Sequence, residues 1–120
     1  MENKMCYICS PYRGHVEDNV AYAKELTRVA LDNGYAPVTP HLYLTQVLDE
    51  SNPEQRKIGM AAGIEILKQC QYILIGSRKG LSEGMLDEIE EAYDAGLIEL
   101  AITKHGLEKV YKGGQDEKVF

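Results

Sequence analysis

The residues best suited to chemistry lie in one stretch, Gly80-Leu81-Ser82-Glu83-Gly84-Met85-Leu86-Asp87-Glu88-Ile89-Glu90-Glu91-Ala92-Tyr93-Asp94-Ala95-Gly96. Its periodicity predicts a helix with Ser82 at the N-cap, where a hydroxyl can accept a bond from an otherwise unpaired N–H. At about 100° per residue, Met85, Leu86, Ile89, Ala92, Tyr93 and Gly96 share one face, read as the core side. Asp87, Glu90, Glu91 and Asp94 fall opposite, in solvent. Glu88 lies at the edge of the core face, beside Gly84, Ala92 and Ala95. A carboxylate flanked by small residues, one turn into a helix, has room for a ligand next to it. The same spacing fits an ordinary flank glutamate of an acidic helix, and spacing alone leaves both readings open.

The elements around this helix give it a place. Tyr72-Ile73-Leu74-Ile75 reads as a buried strand, and residues 76–82 as a loop of small and basic residues. Strand, loop and helix N-terminus in that order form the usual ligand position of an open α/β sheet, where free N–H groups and the dipole favour phosphate or carboxylate. An earlier loop, Ser10-Pro11-Tyr12-Arg13-Gly14-His15, follows a first apolar strand over residues 4–9. Arg13 can fork onto a phosphate or carboxylate, or form a surface ion pair. Tyr12 can stack on a ring or donate its hydroxyl. His41 follows a second strand and is either a ligand contact or a satisfied structural histidine. Arg78 and Lys79 would add positive potential near such a pocket, and His105 is given no role.

The periodicity predicts helices over residues 18–33 and 54–69, the second opened by Asn52 as cap and Pro53 in its first turn. Tyr22, Ala23, Leu26, Val29 and Ala30 would form the apolar side of the first, and Ile58, Ala61, Ala62, Ile64, Ile66 and Leu67 that of the second. Gly59 and Gly63, four apart on one face, cost helix stability and mark a place where another helix or a ligand comes close to the backbone. A short strand over residues 35–39 carries Pro37, which suits an edge. A short helix is expected within residues 42–48 and a last strand over residues 98–103. From residue 104 onward, a short helix or turn and then a loose end are expected.

Alternating strands and helices imply an α/β fold: a small Rossmann-like, flavodoxin-like parallel sheet of about four to five strands, with helices on both faces. Residues 1–103 would form that domain and residues 104–120 a C-terminal extension. The three loops that follow strands would then gather along one sheet edge, which argues for a binding site more strongly than any single motif.

At 120 residues the chain suits one domain with a modest core, and an oligomer, a homodimer or larger, would bury more apolar surface through the apolar sides of the first two helices. A net charge of −6 without a basic cluster argues against binding a nucleic-acid polymer. It still allows a small phosphorylated ligand. No apolar run approaches the roughly 20 residues that span a membrane, and no apolar signal region opens the chain, so a cytoplasmic protein is expected. Cys6, Cys9 and Cys70 are expected as reduced thiols; Cys6 and Cys9 would point to opposite sides of one strand, which speaks against a redox pair or a metal site. No metal or cofactor is implied.

Ser10-Pro11-Tyr12-Arg13-Gly14, Pro40-His41-Leu42 and Ser82-Glu83-Gly84-Met85 with Glu88-Ile89 resemble the nucleoside 2-deoxyribosyltransferase-like superfamily, over about residues 5–103. The resemblance is to its small uncharacterised branch, similar to the 2-deoxynucleoside 5′-monophosphate N-glycosidases. It implies a nucleoside or nucleotide substrate, phosphate or ribose contacts from Ser10, Arg13, Gly14, Ser82 and Gly84, and Glu88 as the nucleophile. One extra residue separates Ser10 from Arg13, so that correspondence is approximate. Cleaving an N-glycosidic bond builds positive charge at C1′, which a carboxylate can attack or shield. In that superfamily an Asp on the helix before the third strand protonates the base; here Gly63 stands at its position. Glu65 is about 200° round the helix from Gly63. Asp87 lies on the wrong face to replace it. A second, weaker resemblance is to the cytokinin-activating phosphoribohydrolases, on Gly84-Met85-Leu86-Asp87-Glu88. The implied activity is hydrolysis or transfer of a (deoxy)ribosyl group. The alternative is a non-catalytic nucleotide sensor or sequestering module on the same fold, which Gly63 favours.

Overall fold

The computed structural model describes residues 2–110 of the chain. Five strands form one sheet: β1 (Met5–Cys9), β2 (Ala36–Val38), β3 (Tyr72–Ile75), β4 (Ile98–Thr103) and β5 (Gly106–Lys109). Three α-helices accompany them: α1 (Val16–Asp32), α2 (Pro53–Leu67) and α3 (Glu83–Asp94). The spatial order is β2-β1-β3-β4-β5, with the first four parallel and β5 antiparallel to β4. This is the expected α/β architecture, doubly wound in the flavodoxin-like manner. β2 is an edge strand, which leaves room for Pro37 and its missing N–H.

Side chains alternate across the strands, and the two faces are packed by different helices. Cys6, Ile8, Tyr72, Leu74 and Leu100 lie under Tyr22, Leu26 and Ala30 of α1. Tyr7, Cys9 and Ile73 point the other way, under Leu67 of α2 and Met85 and Ala92 of α3. Cys6 and Cys9 therefore sit on opposite faces, as their spacing requires, and all three cysteines are free and buried. Gly76, just past β3, runs close under α1. A β-carbon there would lie 2.4 Å from Leu26 Cδ1 and 2.9 Å from the Tyr22 hydroxyl.

Local chemistry sets the helix ends. The Asn52 side chain accepts from the N–H groups of Glu54 and Gln55 at 3.0 and 3.1 Å, ahead of Pro53. Ser82 Oγ accepts from the Met85 N–H at 3.2 Å. α1 begins two residues earlier than its periodicity suggests, without a side-chain cap. The short helix expected within residues 42–48 is instead two single 3₁₀ turns, Pro40–Leu42 and Leu44–Gln46.

Two expectations are corrected. The segment after Thr103 does turn, at residues 104–105, but the turn is the tip of a β-hairpin, so residues 106–109 extend the sheet. The expected loose end beyond residue 110 lies outside the described residues. The core face of α3 is also rotated from the one the apolar residues define. Leu86 is 49% and Tyr93 41% exposed, whereas Glu88 joins Met85 and Ala92 among the buried residues. A large aromatic with a hydroxyl tolerates that position because the hydroxyl finds Glu99 at 2.8 Å.

α2 likewise buries less than its composition suggests. Only Gly63 and Leu67 are buried, and Ile58 is exposed. No helix among the described residues is long and apolar enough to cross a membrane.

Candidate active site

Glu88 sits one turn inside α3 and is 7% exposed. Beneath it β1 sends up Tyr7, whose hydroxyl donates to Glu88 Oε2 at 2.7 Å. Cys9, also on β1, donates its thiol to the Met85 carbonyl at 3.8 Å and lies beside Glu88 as well. Burial pushes the Glu88 carboxyl above its ordinary value; the hydrogen bond from Tyr7 and the nearby Cys9 thiol favour the ionised form and oppose that rise. Burial and the neighbouring carboxylate likewise push the Tyr7 phenol and the Cys9 thiol upward, so both remain donors.

This arrangement needs Gly63. A β-carbon there would stand 3.2 Å from the Tyr7 hydroxyl and 4.0 Å from Glu88 Oε2. The close approach expected at the glycine pair is therefore made by the protein's own side chains. At the other glycine, Gly59, the nearest atoms are Leu48 Cδ1 at 3.2 Å and Glu50 Oε2 at 3.7 Å.

Glu88 forms part of the lining of a cavity of about 390 Å³. The first loop contributes Ser10, Pro11, Tyr12 and Arg13, and the second strand's loop contributes His41. Glu50, Arg56 and Met60 line it from the side of α2, and residues 82–85 from the start of α3. The sheet edge predicted to collect the loops does collect them. Of the residues singled out in the sequence, Ser10, Tyr12, Arg13, His41, Ser82, Gly84 and Glu88 all line this one cavity. Gly14 does not; it is exposed and takes a φ of +99°, turning the chain after Arg13 into α1.

Ser10 is fully buried and its Oγ has no hydrogen-bond partner. Buried hydroxyls are nearly always bonded, and this one faces a cavity from which a partner could reach it. Tyr12 and His41 pair their rings with centroids 5.5 Å apart and form an aromatic wall. Burial pushes His41 below its ordinary value, while the Glu50 charge and a hydrogen bond with the Ser10 backbone partly restore it. Arg13 and Arg56 form no ion pair among the described residues, leaving two guanidinium groups for an anion.

Arg78 and Lys79 do not add charge to this cavity. Arg78 pairs with Glu25 at 2.8 Å and lies over the Tyr22 ring, and Lys79 donates to Asn19 at 3.0 Å, so both brace the third loop against α1. Sequence reasoning missed Tyr7, Glu50, Arg56 and Met60. Tyr7 alone left a signal, a hydroxyl inside an apolar strand.

The fold places this chain among α/β proteins built like the deoxyribosyltransferases. It is similar in structure to a 2-deoxyribosyltransferase from Bacillus psychrosaccharolyticus, with a TM-score of 0.62 and 15% identity over 81% of this chain and 70% of that one. It is also similar to a 2-desoxiribosyltransferase from Leishmania mexicana, with a TM-score of 0.58 and 18% identity over 98% of this chain and 89% of that one. At these identities the likeness is one of fold. By sequence, the chain belongs to the family described as Domain of unknown function (DUF7768), whose profile matches residues 4–100. No curated protein matches it by sequence.

Proposed function

We propose that this protein cleaves the N-glycosidic bond of a nucleoside or nucleotide, passing the (deoxy)ribosyl group to water or to another base, with Glu88 as the nucleophile. The observation that carries the reading is Glu88 itself. It is a buried carboxylate held at 2.7 Å by Tyr7, in a cavity that also holds the unpartnered Ser10 hydroxyl. A carboxylate stripped of water and fixed by donors suits attack on a carbon that becomes cationic. Tyr7 orients Glu88 and opposes its protonation. Tyr12 and His41 offer a wall against which a base can stack, and Ser10 a hydrogen bond to the ligand. Arg13 and Arg56, with the capped start of α3 at Ser82 and Gly84, can receive a 5′-phosphate.

The likeness in fold to deoxyribosyltransferases supports this reading, and so does the location of the cavity at the carboxyl ends of β1 and β2. The test is chromatography of a panel of nucleosides and 5′-monophosphates after incubation with the wild type and Glu88→Gln. Free base from the wild type and none from the variant is expected. A thermal shift with some ligands and no base from any of them would instead favour binding without turnover. Gly63, which offers no acid at its position, favours that second reading.

The reading includes a homodimer or larger assembly. The apolar side of α1 is already used inside the chain, so the contact falls to side chains that helices leave in solvent, Ile58 on α2 and Leu31 on α1. Light scattering of wild type and Ile58→Glu tests it, with a smaller mass expected for the variant.

A further inference from the structure

Breaking a C1′–N bond leaves its electron pair on the base, and a neutral base departs far more readily if that nitrogen receives a proton. Apart from Glu88, the cavity holds three carboxyl or imidazole groups, Glu83, His41 and Glu50. Glu83 is exposed in the first turn of α3, at the cavity's solvent side. His41 is engaged with the Ser10 backbone, and its burial favours the uncharged ring.

Glu50 differs from both. It is half-buried, it lines the cavity, and no hydrogen bond among the described residues is spent on its carboxylate. Its Oε2 lies 3.7 Å from the space a side chain would fill at Gly59, while Glu88 Oε2 lies 4.0 Å from the corresponding space at Gly63. Those two glycines are four residues apart, about 6 Å along α2 and on the same face. Two carboxylates therefore enter one cavity across successive bare turns of the same helix. Glu88 accepts a hydrogen bond from Tyr7, whereas no donor among the described residues serves Glu50. Glu50 is therefore the one of the two carboxyl groups with no hydrogen-bond commitment among those residues, free to exchange a proton with a ligand.

We propose that Glu50 is the catalytic acid that protonates the departing base, an assignment that rests on the glycosidic reading above. Glu88 Oε attacks C1′, and the C1′–N bond breaks with its electron pair going to the base nitrogen. The Glu50 O–H proton moves to the base, leaving a carboxylate. Water then attacks C1′, its proton passes to Glu50, and the C1′–O bond to Glu88 breaks with its electrons returning to Glu88. The sum is nucleoside plus water giving free base plus sugar, with both glutamates restored.

The experiment compares wild type, Glu50→Gln, Glu50→Asp and Glu88→Gln on a purine deoxynucleotide and on its N7-methylated form, whose cationic base leaves without a proton. Rates are taken above the uncatalysed background. Glu50→Gln should slow first-turnover release of base about 10²-fold or more on the unmethylated substrate and less than about threefold on the methylated one, whose base leaves before the water step that also uses Glu50. Glu50→Asp should recover part of the first loss, and Glu88→Gln should lose both activities. Retained turnover of the methylated substrate shows that the Glu50 variant is folded. Equal losses on the two substrates, or no loss on either, would overturn the role of Glu50 while leaving that of Glu88 intact. A wild type that releases base from neither substrate would overturn the glycosidic reading, and Glu50's role with it.

Discussion

The two faces of the sheet are built from the same strands and serve different ends. Under α1 the contacts are aliphatic and aromatic throughout: Cys6, Ile8 and Leu74 against Tyr22, Leu26 and Ala30. Under α2 and α3 the residues one step along in the same strands, Tyr7, Cys9 and Ile73, pack a core that ends in a buried carboxylate and a cavity. One face is packed for stability. The other gives up packing at Gly59 and Gly63 and keeps a charged group out of water. A protein that placed Glu88 there only for structure would gain by removing its charge. A protein that uses the carboxylate loses its activity instead.

The sharpest way to break this comparison is Glu88→Gln. Loss of the nucleophile should lower base release by at least about 10³-fold. The same change should raise stability at neutral pH. Glu88's carboxyl is raised in the folded state by burial, so its contribution is fully present below the ordinary carboxylate pKa and is lost as pH rises through the folded value. Thermal melts should therefore show Glu88→Gln above wild type at pH 7, with the gap closing toward acid. The same shift predicts that wild-type kcat/KM falls on acidification at a pH above the ordinary glutamate value, as the nucleophile is protonated.

On the other face, Leu26→Ala removes a side chain that is 1% exposed and should destabilise by about 2–5 kcal/mol in denaturant titrations. Folded variant should turn over normally, since Leu26 lies across the sheet from the cavity. Tyr7→Phe tests the boundary between the two roles. It removes one donor from Glu88, so kcat should drop about tenfold and the acid limb of the pH profile should move to higher pH. The smallest effect is expected from Ser10→Ala. An unpartnered buried hydroxyl gives the ligand-free protein nothing, so its melting temperature should hold or rise slightly, while affinity for a nucleotide ligand falls by about 1 kcal/mol in calorimetry.

Much of the architecture was legible because it depends on local pattern. Alternation of strands and helices, the Asn52 and Ser82 caps and the Pro37 edge strand each follow from short-range chemistry. The hairpin after Thr103 was not legible, since a four-residue edge strand with two charged residues has little period of its own. The α3 face was misread for a related reason. Hydrophobicity assigns the core to Leu86 and Tyr93, whereas the helix turns Glu88 inward, where Tyr7, 81 residues earlier, supplies a donor. The cavity-lining glutamate and arginine before and within α2 were hidden similarly. Glu50 sits in a polar linker, and only the approach of that linker to Gly59 gives it a neighbourhood. The Gly59 and Gly63 spacing did signal a close approach; what approaches Gly63, Tyr7 and Glu88, is distant in sequence and absent from any local window.

The central claim is that Glu88 attacks the sugar. It is tested most directly by quenching wild type in acid during turnover of a deoxynucleotide, digesting it and weighing the peptides. The account predicts one added sugar unit on the peptide carrying Glu88, absent from the Glu88→Gln variant. Base accumulating while that unit sits on a different residue, or on none, would contradict it.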